Sequence, residues 1–467
     1  MSRHAAAVEL RALLRLAAPL MAGQVLLFGS NLVDTLLAGH LGPVVLGAVA
    51  IGGSVWMVPL MAMQGIMYSV PARISRLVGA GLRHEAGFVF RQALWLALFA
   101  GLVMLLAVRL SAPGLVGLLQ VPSDLQDGLV DFLRAVSLGA PALGAFMACR
   151  GLSDALSMTR PAIWFGLLGI ALLVPIGFLL MYGGFGFAGL GAYGSGLATA
   201  LVIWLQAACF LLFVSRARAY RDIGWSLGRM GPERAALAGL LTLGLPMAAS
   251  VVMEVSLFSG AAFAIARFGA IPVAAHQIAL NVAGLAFMMP LGLAGAITVR
   301  VGLAMGRGSL QAARLAGMLG IGVALATQSV SCLVMVTLPS TIAAIYSNDV
   351  DVQAATVSLL ALAALFQLSD GVQVAANGAL RGMQDTRLPA LITLFAYWVV
   401  GMPIGLLLAF PAGLAARGMW MGLFVGLSVA AVLLTWRFRA RTVFAIPPDG
   451  VTAGMTAGLQ LVNEAPP

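Results

Sequence analysis

A carboxylate, Asp370, sits near the middle of Leu359–Arg381, LLALAALFQLSDGVQVAANGALR, a run long and apolar enough to cross a bilayer. Gln367, Asp370, Gln373 (with Val374) and Asn377 follow at steps of three or four, so a helix here carries a polar stripe. An ionised Asp in hydrocarbon costs about 2.5–3.5 kcal/mol on insertion scales. The stripe must therefore face a protein interior or a wet cavity. A functional carboxylate is the first reading; an Asp held by a neighbouring helix for packing alone is the second.

Of sixteen acidic residues, only Asp34, Glu254 and Asp370 fall well inside apolar runs. Gln24, Asn31 and Asp34 share one helical face, as do Ser250 and Glu254, with Pro246 placed to bend the backbone two turns earlier. The chain has no lysine, and no arginine is expected at mid-span to neutralise these acids. Carboxyls kept in such surroundings can exchange protons near neutral pH or bind a small cation when deprotonated. The structural rival is a pair of carboxyls hydrogen-bonded to each other.

Other positions carry weaker signals. Gln277, Asn281, Gly284 and Met288 share a face, and so do Ser54, Met57, Met61, Gln64 and Tyr68. Methionine suits an adaptable pocket, although the same stripe is ordinary helix packing; Phe366, Trp56 and Phe258 are read with the same reserve. Asp124, Asp127 and Asp131 read as helix-start or solvated residues. The pairs Arg150-Asp154 and Arg381-Asp385 read as pins for loops outside the membrane.

The elements that must position these groups follow from composition. With 467 residues, 61% hydrophobic and 9% charged, and without alternating strand patterns, the chain reads as an all-α polytopic membrane protein rather than a barrel. The net charge of +10 is spread over loops, so nucleic acid is not an expected partner. Without lysine there is neither a Walker-type nucleotide site nor a retinal Schiff base. Cys149, Cys209 and Cys332 form no pair motif, and His4, His40, His84 and His276 show no metal spacing, so no metal or other cofactor is expected. Arg3, Arg11 and Arg15 precede a first apolar run with no small-residue cleavage site, which makes that run an anchor.

Twelve spans are expected, near residues 14–37, 46–70, 90–112, 131–152, 162–182, 190–214, 238–264, 274–298, 312–338, 353–378, 390–411 and 418–437. With both termini in the cytoplasm, 22 of the 26 arginines fall inside and only Arg109, Arg134, Arg267 and Arg417 outside, as the positive-inside rule requires. The halves repeat at an offset of 227 residues, the step from Pro19 to Pro246: Gly42 matches Gly269, Gly65 matches Gly292, Arg73 matches Arg300, and Gly79-x-Gly81 matches Gly306-x-Gly308. Arg150-Gly-x-x-Asp154 is echoed by Arg381-Gly-x-x-Asp385. An even number of spans per half makes the repeats parallel, two six-helix lobes related by a pseudo-two-fold axis along the membrane normal. The expected division is an N-lobe at 1–215, a cytoplasmic linker at 216–236, a C-lobe at 237–440 and a disordered cytoplasmic tail at 441–467.

Several of these motifs together resemble the multidrug and toxin extrusion (MATE) family, in its bacterial NorM-like branch. They are Leu16-Ala-Ala-Pro19 with Asp34-Thr-Leu-Leu-Ala-Gly39, Leu243-Gly-Leu-Pro246 with Glu254, Ala275-His-Gln277, and Asp370 with Gly378-Ala-Leu-Arg-Gly382-x-x-Asp385-Thr. The resemblance covers nearly the whole chain. It implies a monomeric antiporter of the bacterial inner membrane, not an enzyme and with no ATPase subunit. Such a protein expels lipophilic, often aromatic, cations in exchange for protons or sodium ions. By the same resemblance, Glu254 and Asp370 are the cation-coupling carboxylates and Asp34 the essential acid of the N-lobe. Sodium-linked relatives often carry Tyr four residues before the Asp370 position; Phe366 stands there, which favours protons and leaves sodium at Glu254 and Asp370 as the alternative. The expected substrate cavity draws on Gln24, Asn31, Met57, Met61, Gln64, Gln277, Asn281, Met288, Phe366, Gln367, Gln373 and Asn377. A lipid-linked oligosaccharide flippase of the same architecture is the rival function, disfavoured because an anionic lipid calls for a cationic cavity.

Overall fold

Inside lipid an apolar chain satisfies its backbone groups by forming helices, and this chain is helical nearly throughout. The computed structural model describes residues 3–118, 120–184, 186–225 and 231–443. The side chains of residues 27–35 lie outside the described residues, so nothing is said of those of Asn31 and Asp34; the expected disordered tail lies outside them from residue 444.

The first half comprises α1 (Arg3–Gly39), α2 (Pro43–Met67), α3 (Ser69–Gly79), α4 (Arg83–Leu118), α5 (Ser123–Val136), α6 (Ala140–Ala155), α7 (Arg160–Tyr182) and α8 (Gly191–Arg216). The second comprises α9 (Arg234–Ala266), α10 (Ala270–Gly306), α11 (Leu310–Thr337), α12 (Pro339–Tyr346), α13 (Val350–Gly382), α14 (Arg387–Leu394), α15 (Met402–Ala409) and α16 (Ala415–Val443). Among the described residues, ten helices are long and apolar enough to cross a membrane, counting α2 with α3 and α14 with α15 as one each. An eleventh span is α5 and α6 together, bent by 45°, and the 37-residue α1 is the twelfth column. These are the two six-helix lobes expected of the sequence.

Departures from the expected spans have local causes. The fourth, expected as one helix over 131–152, starts at Ser123 and breaks at a 3-10 turn, Ser137–Gly139, where Pro141 enters the next helix. The eleventh is interrupted by a π-helical stretch, Phe395–Gly401, between α14 and α15. The eighth, expected over 274–298, runs the full 37 residues of α10. At 1.5 Å per residue that is about 55 Å, well beyond a hydrocarbon core of about 30 Å, so α10 projects from the membrane.

The duplication is visible in the closest helix approaches. A Cβ added to Gly65 would lie 2.3 Å from Ala248 Cα, and one added to Gly292 would lie 2.6 Å from Met21 Cα. A Cβ on Gly79 would lie 2.2 Å from the Leu303 carbonyl oxygen, and one on Gly306 would lie 2.1 Å from that of Arg76. Under the 227-residue offset each contact is the image of its partner. Gly302 meets Ser75, its own counterpart, with a Cβ 2.1 Å from Ser75 Oγ. The pseudo-two-fold axis therefore passes between α3 and α10 at Ser75 and Gly302. Only glycine permits backbones this close.

Two apolar cores result. One is built mainly from α2 to α8, with Ala38 of α1 and Leu240 of α9; the other joins residues of the second half with Leu13, Leu16, Ala17 and Leu20 from the start of α1. At the end bearing both termini the halves are also tied by polar contacts: Arg300 of α10 pairs with Glu9 of α1, and Arg76 Nη1 donates to Gln384 Oε1 at 3.2 Å. At the opposite end α2 packs within its own half, Gly47 against Leu125 and Gly52 against Phe132.

Candidate functional site

The polar stripe of α13 faces inward. Asp370 is 2% exposed, and Gln367 and Gln373 are equally buried. Gln373 Nε2 donates to Asp370 Oδ1 at 3.3 Å, and its side chain also interacts with the Glu254 carboxyl on α9. Gln367 Nε2 donates to the Ala283 carbonyl at 2.9 Å and its Oε1 accepts from Gln328 Nε2 at 2.8 Å. α9 and α13 thus meet at a carboxyl pair beside Gln373, and α11 is tied to the preceding turn of α13 through Gln328. The Glu254 charge is felt at Asp370. Pro246, whose carbonyl accepts from Ser250 Oγ at 3.1 Å, lies two turns before Glu254. Among the described residues neither Glu254 nor Asp370 takes part in an ion pair.

An arginine from the helix end, not from mid-span, comes near these acids. Arg381, at the end of α13, is 7% exposed and interacts electrostatically with Glu254. It does not pin Asp385, because α13 ends at Gly382 and the turn through Gln384, with φ of 61°, carries Asp385 elsewhere. Asp385 instead pairs with Arg437 and Arg441 at 3.0 and 3.1 Å. Arg381 Cζ lies 4.5 Å from the centre of the Tyr68 ring, a cation–π contact reaching across to the first half. Tyr68 OH in turn accepts from Gln64 Nε2 at 2.7 Å.

The expected substrate residues separate into two groups. Gln24, Met57, Met61, Gln64 and Met288 line a cavity of about 330 Å³ enclosed by α1, α2, α6, α7, α8 and α10. Phe366, Gln367 and Gln373 do not line it. Phe366 is core, edge-to-face with Phe258 at 5.9 Å and Trp420 at 5.7 Å; Gln373 bonds Asp370, and Gln367 ties α13 to Ala283 and Gln328. Asn377 is half-buried and its carbonyl accepts from Arg381 Nε at 3.4 Å. Gln277 and Asn281 are exposed on α10, beyond the stretch of that helix that lines the cavity.

Further residues join the site that sequence reasoning missed. Tyr397, in the π stretch, is fully buried, its hydroxyl has no hydrogen-bond partner among the described residues, and it senses the charges of Glu254 and Asp370. A phenol in an apolar run is the available signal, and π turns often mark functional positions. His276 Nδ1 accepts from Trp420 Nε1 at 3.1 Å, which places the imidazole proton on Nε2. Arg150 and Asp154 do pair, Nε to Oδ2 at 3.7 Å, but in the cavity wall rather than in a loop.

Known proteins align with this arrangement. The MatE family model matches residues 19–179 and 246–407, once in each half. A "Probable multidrug resistance protein NorM" of Xanthomonas axonopodis pv. citri is 44% identical over 434 residues, 93% of this chain and 94% of that protein. One of the same name from Xylella fastidiosa strain 9a5c is 40% identical, covering 92% of each. Among solved structures, the eukaryotic MATE transporter AtDTX14 superposes with a TM-score of 0.83 at 18% identity, over 94% of this chain and all of that one. A MOP-superfamily transporter of Pyrococcus furiosus gives 0.84 at 20%, over 93% and 96%. At those identities the structural likeness speaks for the fold.

Proposed function

Because the chain belongs to the MATE family, we propose that it is a secondary multidrug exporter, moving lipophilic organic cations out of the cell in exchange for protons. Glu254 and Asp370 are the coupling carboxylates in this reading, and Asp34 is the acid of the first half. The observation that carries it is the buried Asp370 carboxyl on Gln373 beside the half-buried Glu254, neither in a salt bridge among the described residues. Ionised groups so placed are expensive to keep, and a cation or proton that comes and goes is the use that repays them.

Coupling requires that ion and substrate each favour a different state of the same two-state element. That element is the pair of lobes hinged at the Ser75–Gly302 axis. They are closed at the end bearing the termini, so with both termini in the cytoplasm this is the outward-facing state of a rocking exporter. Arg381 and Tyr68 connect the carboxyl cluster to the cavity edge at Gln64. Phe366 lies in an aromatic cluster and offers sodium no oxygen, which supports protons as the coupling ion; sodium at Glu254 and Asp370 is the alternative. The protein acts as a monomer in the bacterial inner membrane, without cofactor or ATPase partner.

The test uses purified protein in sealed liposomes loaded with a fluorescent cationic dye, under a proton gradient or a sodium gradient alone. Protons alone should drive dye movement, and Asp370→Asn should abolish it in protein that remains folded. Movement under sodium alone would overturn the ion assignment. Full activity in Asp370→Asn would overturn the coupling site.

A further inference from the structure

The N-half cavity has a charged corner that the coupling carboxylates leave unused. Most of its wall is apolar and adaptable: Met57, Met61, Met147, Met288 and Phe146. Arg150 and Asp154 are the charged side chains in it. They are held only loosely to each other. Arg150 Nε stands 3.7 Å from Asp154 Oδ2, beyond hydrogen-bond length. Asp154 Oδ1 is buried and has no hydrogen-bond partner among the described residues.

Nearby groups do not fill that place. Tyr220 OH is engaged with Ser153 Oγ at 2.9 Å. Burial pushes the Tyr220 phenol up to about 12, so it stays neutral beside Asp154. Arg150 extends toward α1, its Nη2 3.8 Å from where a Cβ on Gly23 would lie. The repeat supplies the control. Asp385, the counterpart of Asp154, is held by two arginines at 3.0 and 3.1 Å. One copy of the motif is saturated; in the other the aspartate lines a cavity of about 330 Å³, the size of a small drug site, with one carboxylate oxygen buried and unbonded among the described residues.

We propose that Asp154 is the recognition carboxylate of this cavity, turning its incompletely bonded carboxylate to the charged group of an organic monocation whose apolar body rests on the methionines. Arg150, with its Nε 3.7 Å from Oδ2, sets the local charge. With Asp154 ionised the two side chains are neutral together, so one bound positive charge is tolerated and a second meets the guanidinium. The cavity should therefore discriminate monocations from dications of the same ring system. This inference deepens the export reading and rests on it.

Binding, not transport, tests it, which separates it from the coupling site. Purified full-length protein in detergent is titrated with ethidium, a monocation, and propidium, a dication on the same phenanthridinium, by fluorescence. Wild type should bind ethidium at least tenfold more tightly than propidium. Removing a charge-assisted interaction from a dry site weakens binding about tenfold or more. Asp154→Asn should therefore weaken ethidium at least tenfold, and Asp154→Glu should recover most of it. Arg150→Gln should keep ethidium and gain propidium.

Unchanged ethidium binding in Asp154→Asn, in protein with the wild-type elution profile, would overturn the proposal and leave the export reading standing. So would equal binding of the two dyes by wild type. Should Asp154→Asn fail to fold, the propidium gain in Arg150→Gln decides; no gain overturns the proposal. Wild type that binds neither dye would overturn both readings.

Discussion

The two halves descend from one pattern yet have divided the work. In the N-half the Arg-Gly-x-x-Asp motif lies on α6, which continues to Ala155, so Arg150 and Asp154 stay one helical turn apart and face the cavity. In the C-half the helix ends at Gly382, the motif splits, Asp385 goes to the arginines of α16, and Arg381 turns to Tyr68 and Glu254. The same comparison holds for amides. Gln24 and Gln64 line open space, whereas Gln328, Gln367 and Gln373 are spent on each other and on Asp370. A duplicated scaffold can thus put a roomy, selective surface in one lobe and a tight carboxyl cluster in the other.

The largest effect that separates the halves is expected at the carboxyl pair. Glu254→Gln and Asp370→Asn should each reduce gradient-driven dye efflux to the level of empty liposomes. By contrast, Met61→Ala and Met288→Ala should leave the maximal rate within about twofold and shift KM for bulky dyes about three- to tenfold, equivalent to about 0.6–1.4 kcal/mol. Steady-state kinetics in proteoliposomes distinguishes the two. A pure KM effect at Asp370, or complete loss of transport at Met61, would erase the proposed division.

The next effect tests the symmetry itself. Gly79 and Gly306 make image contacts, with Cβ positions 2.2 and 2.1 Å from a backbone oxygen of the other half. Gly79→Ala and Gly306→Ala should each cost about 1–3 kcal/mol by forcing backbones apart. Their apparent melting temperatures in detergent should fall by similar amounts, and the closed end should become more accessible to thiol labelling at an engineered cysteine. If one substitution is silent and the other severe, the axis does not pass between α3 and α10 as described.

How far the sequence can be read depends on how costly each feature is. Asp370 and its stripe are legible because a carboxylate in an apolar run has no inexpensive explanation, and the helices follow from length and hydropathy alone. The repeat is legible because Pro19 and Pro246, and the paired glycines, have steric roles that tolerate no drift. Arg381 is easily misread because i, i+4 spacing implies a pair only on an unbroken helix, and nothing local marks the end at Gly382 apart from that glycine. Arg150 and Asp154 read as loop residues because they lie near a span end; only the folded arrangement, in which α1, α2, α7, α8 and α10 leave a cavity beside α6, reveals what they face. Tyr397 and Gln328 escape notice because a single phenol or amide barely lowers mean hydropathy, and a π turn has no residue signature. Phe366 reads as a cavity residue because aromatic rings serve pockets and cores equally well.

The smallest expected effect lies at the saturated copy of the motif. Asp385 has two arginine partners, and Arg441 is half exposed, with 51% of its side chain open. An exposed pair of this kind contributes about 0–1 kcal/mol, and Arg437 remains on the same oxygen at 3.0 Å when Arg441 is removed. Arg441→Ala should therefore lower the melting temperature by no more than a degree or two, roughly, with dye binding unchanged. Arg437→Ala, whose side chain is 25% exposed, should cost more, since it leaves Asp385 to the more solvated partner. The double variant should exceed the sum of the two, because only then is a carboxylate with 10% of its side chain exposed left without a cation. Simple additivity would mean that Asp385 finds a third partner, and the contrast between a saturated and an unsaturated motif would lose its physical basis.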